Sequence, residues 1–251
     1  IASLQYAMRL FQLPLGVFAV SIGTALLPRL AVAESKGDPG RFRSYFGDGL
    51  ATTALILVPA TVGLALMGND VIGLLFQRGQ FTAADTTRTA AVLVAYCFGL
   101  LAYGWDYVGV RACYALGRTS LPIVGAVAAM AVNALLDAAL VGPYGAPGLA
   151  FASAASGAVD AGILLFFLRR RVAWRPLWRH LVLIACGSAA MGAGVWAVRR
   201  ALPQAGMVAA VLVPIAAGLL LYAAFVRATP LWRLVRRTAG EADAPQGSAR
   251  A

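Results

Sequence analysis

Arg9 is the residue most able to do chemistry, because it is a cation at the start of an otherwise apolar run, Leu10 to Leu27. A guanidinium stays charged in a low-dielectric setting and forms bidentate, charge-assisted bonds to anions such as phosphate. A charge inside a membrane-spanning segment normally faces a cavity or a partner, whereas one near its end can snorkel to the headgroups. Both readings of Arg9 are open at this point. From Arg9 to Pro28 a straight helix would run about 28 Å, which favours the snorkelling reading, while Pro14 and Gly16 can bend the helix and help pack it. Gln12 lies three residues on, near the same face, and could bond a substrate or a neighbouring helix. Asp106, Asp137 and Asp160 fall within or near apolar segments, where carboxylates are scarce. Asp137 and Asp160, on neighbouring predicted helices, are the candidates for binding a coupling cation or relaying protons; the alternatives are a carboxyl kept protonated by burial or hydrogen bonding between helices. No Ser/His/Asp set, phosphate loop or metal-ligand spacing occurs, and the single histidine, His180, stands beside an arginine cluster. The reading is therefore of a non-enzyme with no cofactor and no metal.

The elements that must position these residues follow from composition. With 61% hydrophobic and only 12% charged residues, and mean hydropathy +0.78, the chain is too apolar to cover a soluble surface. The net charge of +11 suggests nucleic acid only until placement is considered. The arginines sit in short clusters between apolar runs, which is how membrane topology is encoded, so no nucleic-acid partner is expected. Cys97, Cys113 and Cys186 lie in apolar stretches and read as buried or lipid-facing thiols. The absence of an initiator Met and a start inside an apparent helix suggest a fragment lacking its N-terminal portion.

About 20 apolar residues cross a bilayer as a helix, and seven stretches qualify: 3–30, 45–67, 82–116, 121–141, 149–168, 178–198 and 205–226. The fold class is thus all-α, a polytopic membrane bundle of seven transmembrane helices. Pro39 and Gly40 mark a break, Pro59 a kink, and 68–81 a half-apolar interfacial connector. Thr82 to Asp85 offers a cap, and Gly104 a bend in the long third helix. The breaker cluster Gly142–Gly148 separates the fourth and fifth helices. Three domains are expected: 1–172 with five helices, 173–238 with two further helices and a basic end, and a disordered tail at 239–251.

Basic residues orient this bundle. Arg29, Lys36, Arg41, Arg43, Arg111, Arg118, Arg169–Arg171, Arg175, Arg179, Arg227, Arg233, Arg236, Arg237 and Arg250 fall on one side. Only Arg78, Arg88, Arg199 and Arg200 fall on the other. Cationic loops stay cytoplasmic, so the C-terminus is expected in the cytoplasm and 142–148 outside. The triple arginine at 169–171 is a topology signal first, with anionic-lipid binding secondary.

The run Tyr6-Ala-Met-Arg9-Leu-Phe-Gln-Leu-Pro14-Leu-Gly16, followed by Leu26-Leu-Pro28-Arg-Leu, resembles the MurJ/MviN lipid II flippases. Leu75-Phe-Gln-Arg-Gly79-Gln-Phe81-Thr-Ala-Ala-Asp85, Tyr114-Ala-Leu-Gly117 with Pro122, and Gly145-Ala-Pro-Gly148 fit the same pattern, in order, to about residue 238. The resemblance implies a fold of two six-helix lobes plus two C-terminal helices, of which this chain is the second lobe without its first helix and the extra pair. It implies a multi-pass protein of the bacterial cytoplasmic (inner) membrane. Its activity would be alternating-access transfer of an undecaprenyl-pyrophosphate-linked peptidoglycan precursor to the outer leaflet, in a role in cell-wall biogenesis and cell shape. It places Arg9 in a central cavity as a substrate residue. Partners would be that lipid-linked oligosaccharide, membrane lipids, the missing N-terminal lobe and, in one reading, cell-wall synthesis proteins. Two departures stand out: Met8 replaces an acidic residue common before the arginine, and Arg118 an acidic residue common after Tyr-Ala-Leu-Gly. The alternatives are a polysaccharide-unit flippase or cation-coupled drug exporter of the same superfamily, or a non-transporting scaffold that recruits cell-wall enzymes.

Overall fold

The computed structural model describes residues 2–201 and 206–240. Nine helices account for nearly all of them: α1 Ala2–Pro14, α2 Val20–Ser35, α3 Pro39–Phe76, α4 Ala83–Cys97, α5 Leu100–Ala115, α6 Ser120–Leu168, α7 Trp174–Ala201, α8 Met207–Ala228 and α9 Leu231–Gly240. A π-helical turn, Leu15–Ala19, joins α1 to α2 into one 34-residue span. Five stretches are long and apolar enough to cross a membrane, and α4 with α5, bent by 42°, makes a sixth. The seventh expected from sequence comes from α6. At Gly145 its backbone leaves the helix (φ 58°, ψ −133°), a combination that only glycine adopts freely. The two arms then run back along each other: a Cβ on Gly125 would strike the Asp160 carboxylate. Thirty-five residues of continuous helix would instead separate those two positions by about 52 Å.

Several boundaries differ from the sequence expectation. Pro39 does not break a helix but opens α3, at the first helical position where its missing N–H is harmless. Asp38 caps it by accepting from Arg41 N–H at 2.9 Å. At its other end α3 continues through Gly68–Phe76, so the interfacial connector shrinks to residues 77–82. Asp70 is tolerated there because Arg199 of α7 reaches it at 2.9 Å. Thr82 and Asp85 form a reciprocal capping box at the start of α4, as expected. The bend in the third span lies at Phe98–Gly99 rather than Gly104; a Cβ on Gly104 would run into Leu57 and Thr53, so that glycine serves close packing. The breaker cluster 142–148 is helical on both sides of the single break at Gly145. A further helix, α9, stands where a basic loop was expected. Ala239 and Gly240, assigned to the tail, fall within α9, and the rest of 239–251 lies outside the described residues.

Packing centres on α3, which contributes to every buried cluster: Leu57 and Ile72 to one, Phe42, Phe46 and Leu50 to a second, Ala54 and Leu55 to a third. In a bilayer, helices associate through close van der Waals contact and interhelical hydrogen bonds, because lipid is as apolar as leucine. Glycines permit that closeness: a Cβ on Gly187 would lie 2.6 Å from the Phe225 ring of α8, and one on Gly49 2.6 Å from Leu26. Hydrogen bonds across helices run from Trp105 Nε1 to the Leu50 carbonyl (3.0 Å) and from Tyr222 Oη to the Leu55 carbonyl (2.8 Å). α7 and α8 pack on each other and on α3. Charged contacts mark the two ends of the bundle. Arg171 bonds Glu34 at 2.8 Å and Arg43 Nε donates to the Arg170 carbonyl at 2.9 Å, which puts the α2–α3 and α6–α7 connections at one end. Arg199 and Asp70 lie at the other.

Candidate functional site

One face of α1 is fixed by aromatic contacts. Tyr6 meets Phe76 (ring centroids 4.6 Å) and Phe81 (5.5 Å, edge-on), and Phe11 meets Tyr96 (5.4 Å) and Tyr103 (5.6 Å, edge-on). Such pairs contribute roughly 0.5–1.5 kcal/mol each beyond their buried area. With Ala7, Leu10 and Phe11 buried toward α3 and α4, the opposite stripe of α1 is set. Arg9, Gln12 and Gly16 lie on it, all exposed, so the expected shared face of Arg9 and Gln12 is present. Gln5, one turn before Arg9, lies on the same stripe and was not singled out from sequence; its four-residue spacing from Arg9 was the available signal. Arg9 has no hydrogen-bond or ion-pair partner among the described residues. Pro14 ends α1 and the π turn follows it at once, with Gly16 inside that turn. A Cβ on Gly16 would meet no atom within 4 Å, so this chain packs nothing closely against it.

The carboxylates divide into two separate groups. Asp137, on the first arm of α6, is one turn from Asn133. With the Asn133 amide nitrogen turned toward it, Asn133 donates to Asp137 Oδ2 at 3.2 Å and its oxygen accepts from the Ser153 N–H at 3.3 Å, on the second arm. The other Asp137 oxygen is buried with no partner among the described residues. Asp160 instead sits level with Gly125, within electrostatic range of Asp106 on α5. Tyr103 lies within range of both and donates to the Ser153 carbonyl at 3.0 Å. Asp137 and Gly125 are twelve residues apart on one arm, so the fold holds Asp137 and Asp160 about 18 Å apart along the axis. They are two sites and not one. Asn133, Ser153 and Tyr103 complete these groups and were not read from the sequence; Asn133 at i−4 from Asp137 in an apolar run was the one visible hint. Cys97 and Cys113 are buried and Cys186 exposed, and no group able to hold a metal occurs among the described residues.

The described residues thus form an apolar helical bundle with Arg9 on an open stripe and carboxylates set between other helices. The family profile described as lipid II flippase MurJ matches residues 1–218. The chain belongs to the lipid II flippase MurJ family. A lipid II flippase MurJ from Thermosipho africanus is 33% identical over 166 residues, covering 66% of this chain and 34% of that protein. A Rhizobium tropici relative named "Probable lipid II flippase MurJ" is 34% identical over 195 residues, covering 76% of this chain and 37% of its own length. A solved structure titled "Lipid II flippase MurJ, inward closed conformation" superposes with TM-score 0.78 at 29% identity, over 90% of this chain and 46% of the other. The chain thus spans about a third of the length of these two relatives and under half of the solved chain. The all-helical, polytopic MurJ-like fold expected from sequence is the observed one. MurJ proteins are transporters, in line with the absence of an enzyme signature.

Proposed function

We propose that this chain supplies one lobe, residues 1–172, and an additional helix pair, residues 173–238, of a lipid II flippase. Together with an N-terminal lobe, it moves the undecaprenyl-pyrophosphate-linked peptidoglycan precursor from the inner to the outer leaflet of the bacterial cytoplasmic membrane by alternating access. The observation that carries this reading is Arg9: exposed, unpaired among the described residues, and held on the open stripe of α1 by the aromatic contacts behind it. A pyrophosphate offers the anionic oxygens that a guanidinium fork grips in pairs. Gln12, one turn along the same stripe, supplies a neutral donor to the same headgroup. Pro14 and Gly16 give the span its bend. Asp137, with one buried oxygen unpartnered among the described residues, and Asp160, within electrostatic range of Asp106, are the ion-linked groups that drive the cycle. The C-terminus and Arg169–Arg171 face the cytoplasm, and the Gly145 fold-back faces outward.

The test is precursor translocation by the full-length protein in cells depleted of their native flippase. Arg9→Ala is expected to abolish flipping with expression and insertion intact. Losing a charge-assisted contact in a desolvated cavity costs on the order of 2–5 kcal/mol. Arg9→Lys is expected to restore only part, because a point charge replaces a planar fork. Full activity of Arg9→Gln would reduce Arg9 to a topological anchor and remove the proposal's main support.

A further inference from the structure

We propose that the exposed face of α9, with the first turns of α7, is a docking surface for anionic phospholipid headgroups. In α9 the buried side chains are Leu231 and Leu234, seated among Phe46, Leu177 and Ile184 of α3 and α7. Its other face carries Arg233, Arg236 and Arg237, all exposed and within about 100° of one another around the axis. His180 lies in the field of both Arg179 and Arg237, which sets this face beside the start of α7, where Trp178 is 67% exposed. Residues 161–240 contain no Asp or Glu at all. The acids on the α2–α3 connection at this end are engaged, Glu34 by Arg171 and Asp38 by Arg41, and Asp48 of α3 is not free either. The arginines of α9 therefore have no carboxylate on α7, α8 or α9 itself, and Arg233, Arg236 and Arg237 have no ion-pair partner among the described residues, which leaves their charge open to an anion from outside.

Two observations select a lipid surface over a soluble anion or an acidic protein. First, depth: α7 begins and α8 ends here, and both are apolar spans, so α9 lies where hydrocarbon gives way to headgroups. Second, composition: indoles are interleaved with the arginines, Trp232 lying 5.4 Å from the Arg227 guanidinium, and amphipathic rings of this kind sit at headgroup level. A short helix with apolar side chains inward and a cationic rim outward is the form that holds anionic headgroups in place.

Native mass spectrometry of the purified full-length protein, titrated with phosphatidylglycerol and separately with phosphatidylcholine, tests the proposal without reference to flipping or to which side faces the cytoplasm. Wild type is expected to retain phosphatidylglycerol in preference to phosphatidylcholine. Arg233→Gln with Arg236→Gln and Arg237→Gln is expected to lose that preference, each removed charge weakening retention by up to about fivefold. Because those side chains are exposed, unfolding in mixed micelles should match wild type. Arg78→Gln with Arg88→Gln, exposed at the opposite end, should leave the preference unchanged. Equal retention of both lipids by wild type, an unaltered preference in the triple variant, or equal loss in the opposite-end control would each overturn the assignment.

Discussion

Gly99→Ala tests whether the fold brings the α4–α5 bend onto the second arm of α6 as closely as described. A Cβ at position 99 would stand 2.7 Å from the Ala154 Cα, 2.9 Å from its Cβ and 3.2 Å from its carbonyl oxygen. Two of those three atoms are backbone, so no rotamer change relieves the clash. Ordinary contact begins at 3.4 Å, so the helices must part by about 0.7 Å at this point. That movement would stretch the Tyr103 Oη bond to the Ser153 carbonyl from 3.0 Å to about 3.7 Å, beyond bonding distance. Overpacking of this kind costs about 1–3 kcal/mol and the lost bond about 1 more, giving a destabilisation of about 2–4 kcal/mol. The assay is reversible unfolding of the full-length protein in mixed detergent micelles. Gly63→Ala and Gly162→Ala serve as controls, because a Cβ there meets nothing within 4 Å; they should be neutral or stabilising by up to about 1 kcal/mol, the helix preference of Ala over Gly. Adding Ala154→Gly should rescue Gly99→Ala only in part, since it removes the 2.9 Å contact but leaves the 2.7 Å one. Unfolding of Gly99→Ala indistinguishable from the two controls would refute the close approach.

For topology, a membrane-impermeant thiol reagent should label Tyr144→Cys in intact cells and Arg170→Cys only after lysis; the reverse pattern would invert the bundle. Position 144 is preferred to 145, where a side chain would be strained by the positive φ, and exposed Cys186 must be replaced first. Photo-crosslinking from Val182 and Leu220, exposed positions on α7 and α8, should capture the prenyl chain of the substrate, and capture of the sugar–peptide headgroup would move the polar route to this pair. Asp137→Asn should reduce the dependence of flipping on the coupling cation or proton gradient while the protein still inserts. Because about 18 Å separates it from Asp160, the two Asn variants should combine additively; unchanged ion dependence in both would end the ion-linked role.

The spans were legible because length and hydropathy alone decide whether a helix can cross hydrocarbon. What the sequence hid were compensations made by distant residues. Gly68-Asn69-Asp70 reads as a loop until Arg199 of α7 supplies the missing charge. Gly104 reads as a hinge until Leu57 and Thr53 are seen against it. In α9 the density of arginine drew attention away from the Leu231–Leu234 spacing, which was a helical signal all along. The same division holds at the site. Arg9 announced itself as a charge in an apolar run, but its direction depends on where Tyr6 and Phe11 find partners, on α3, α4, α5 and the turn between α3 and α4. That Asp160 lies within electrostatic range of Asp106 and far from Asp137 depends on the fold-back at Gly145, which sets the register of the two α6 arms.

The π turn links these observations into one mechanical account of the first span. Its buried stripe runs Phe11, Leu15, Ala19, Gly23, in steps of four residues, before resuming mixed steps at Leu26, Leu30 and Ala33. At 3.6 residues per turn, each four-residue step drifts about 40°, so three in succession would carry the stripe about 120° around the axis. A straight α-helix with Leu26 and Leu30 seated in the core would therefore swing Phe11 out of its contacts with Tyr96 and Tyr103. The wider turn at Leu15–Ala19 absorbs that drift, and Pro14, which cannot donate to the preceding turn, marks where the regular ladder is already broken. With both halves of the span held by the core, Arg9 is left on the open stripe without any freedom to rotate inward. Beside any bend at Pro14 and Gly16, the π turn changes the register of the span, and the consequence is the direction in which the arginine points.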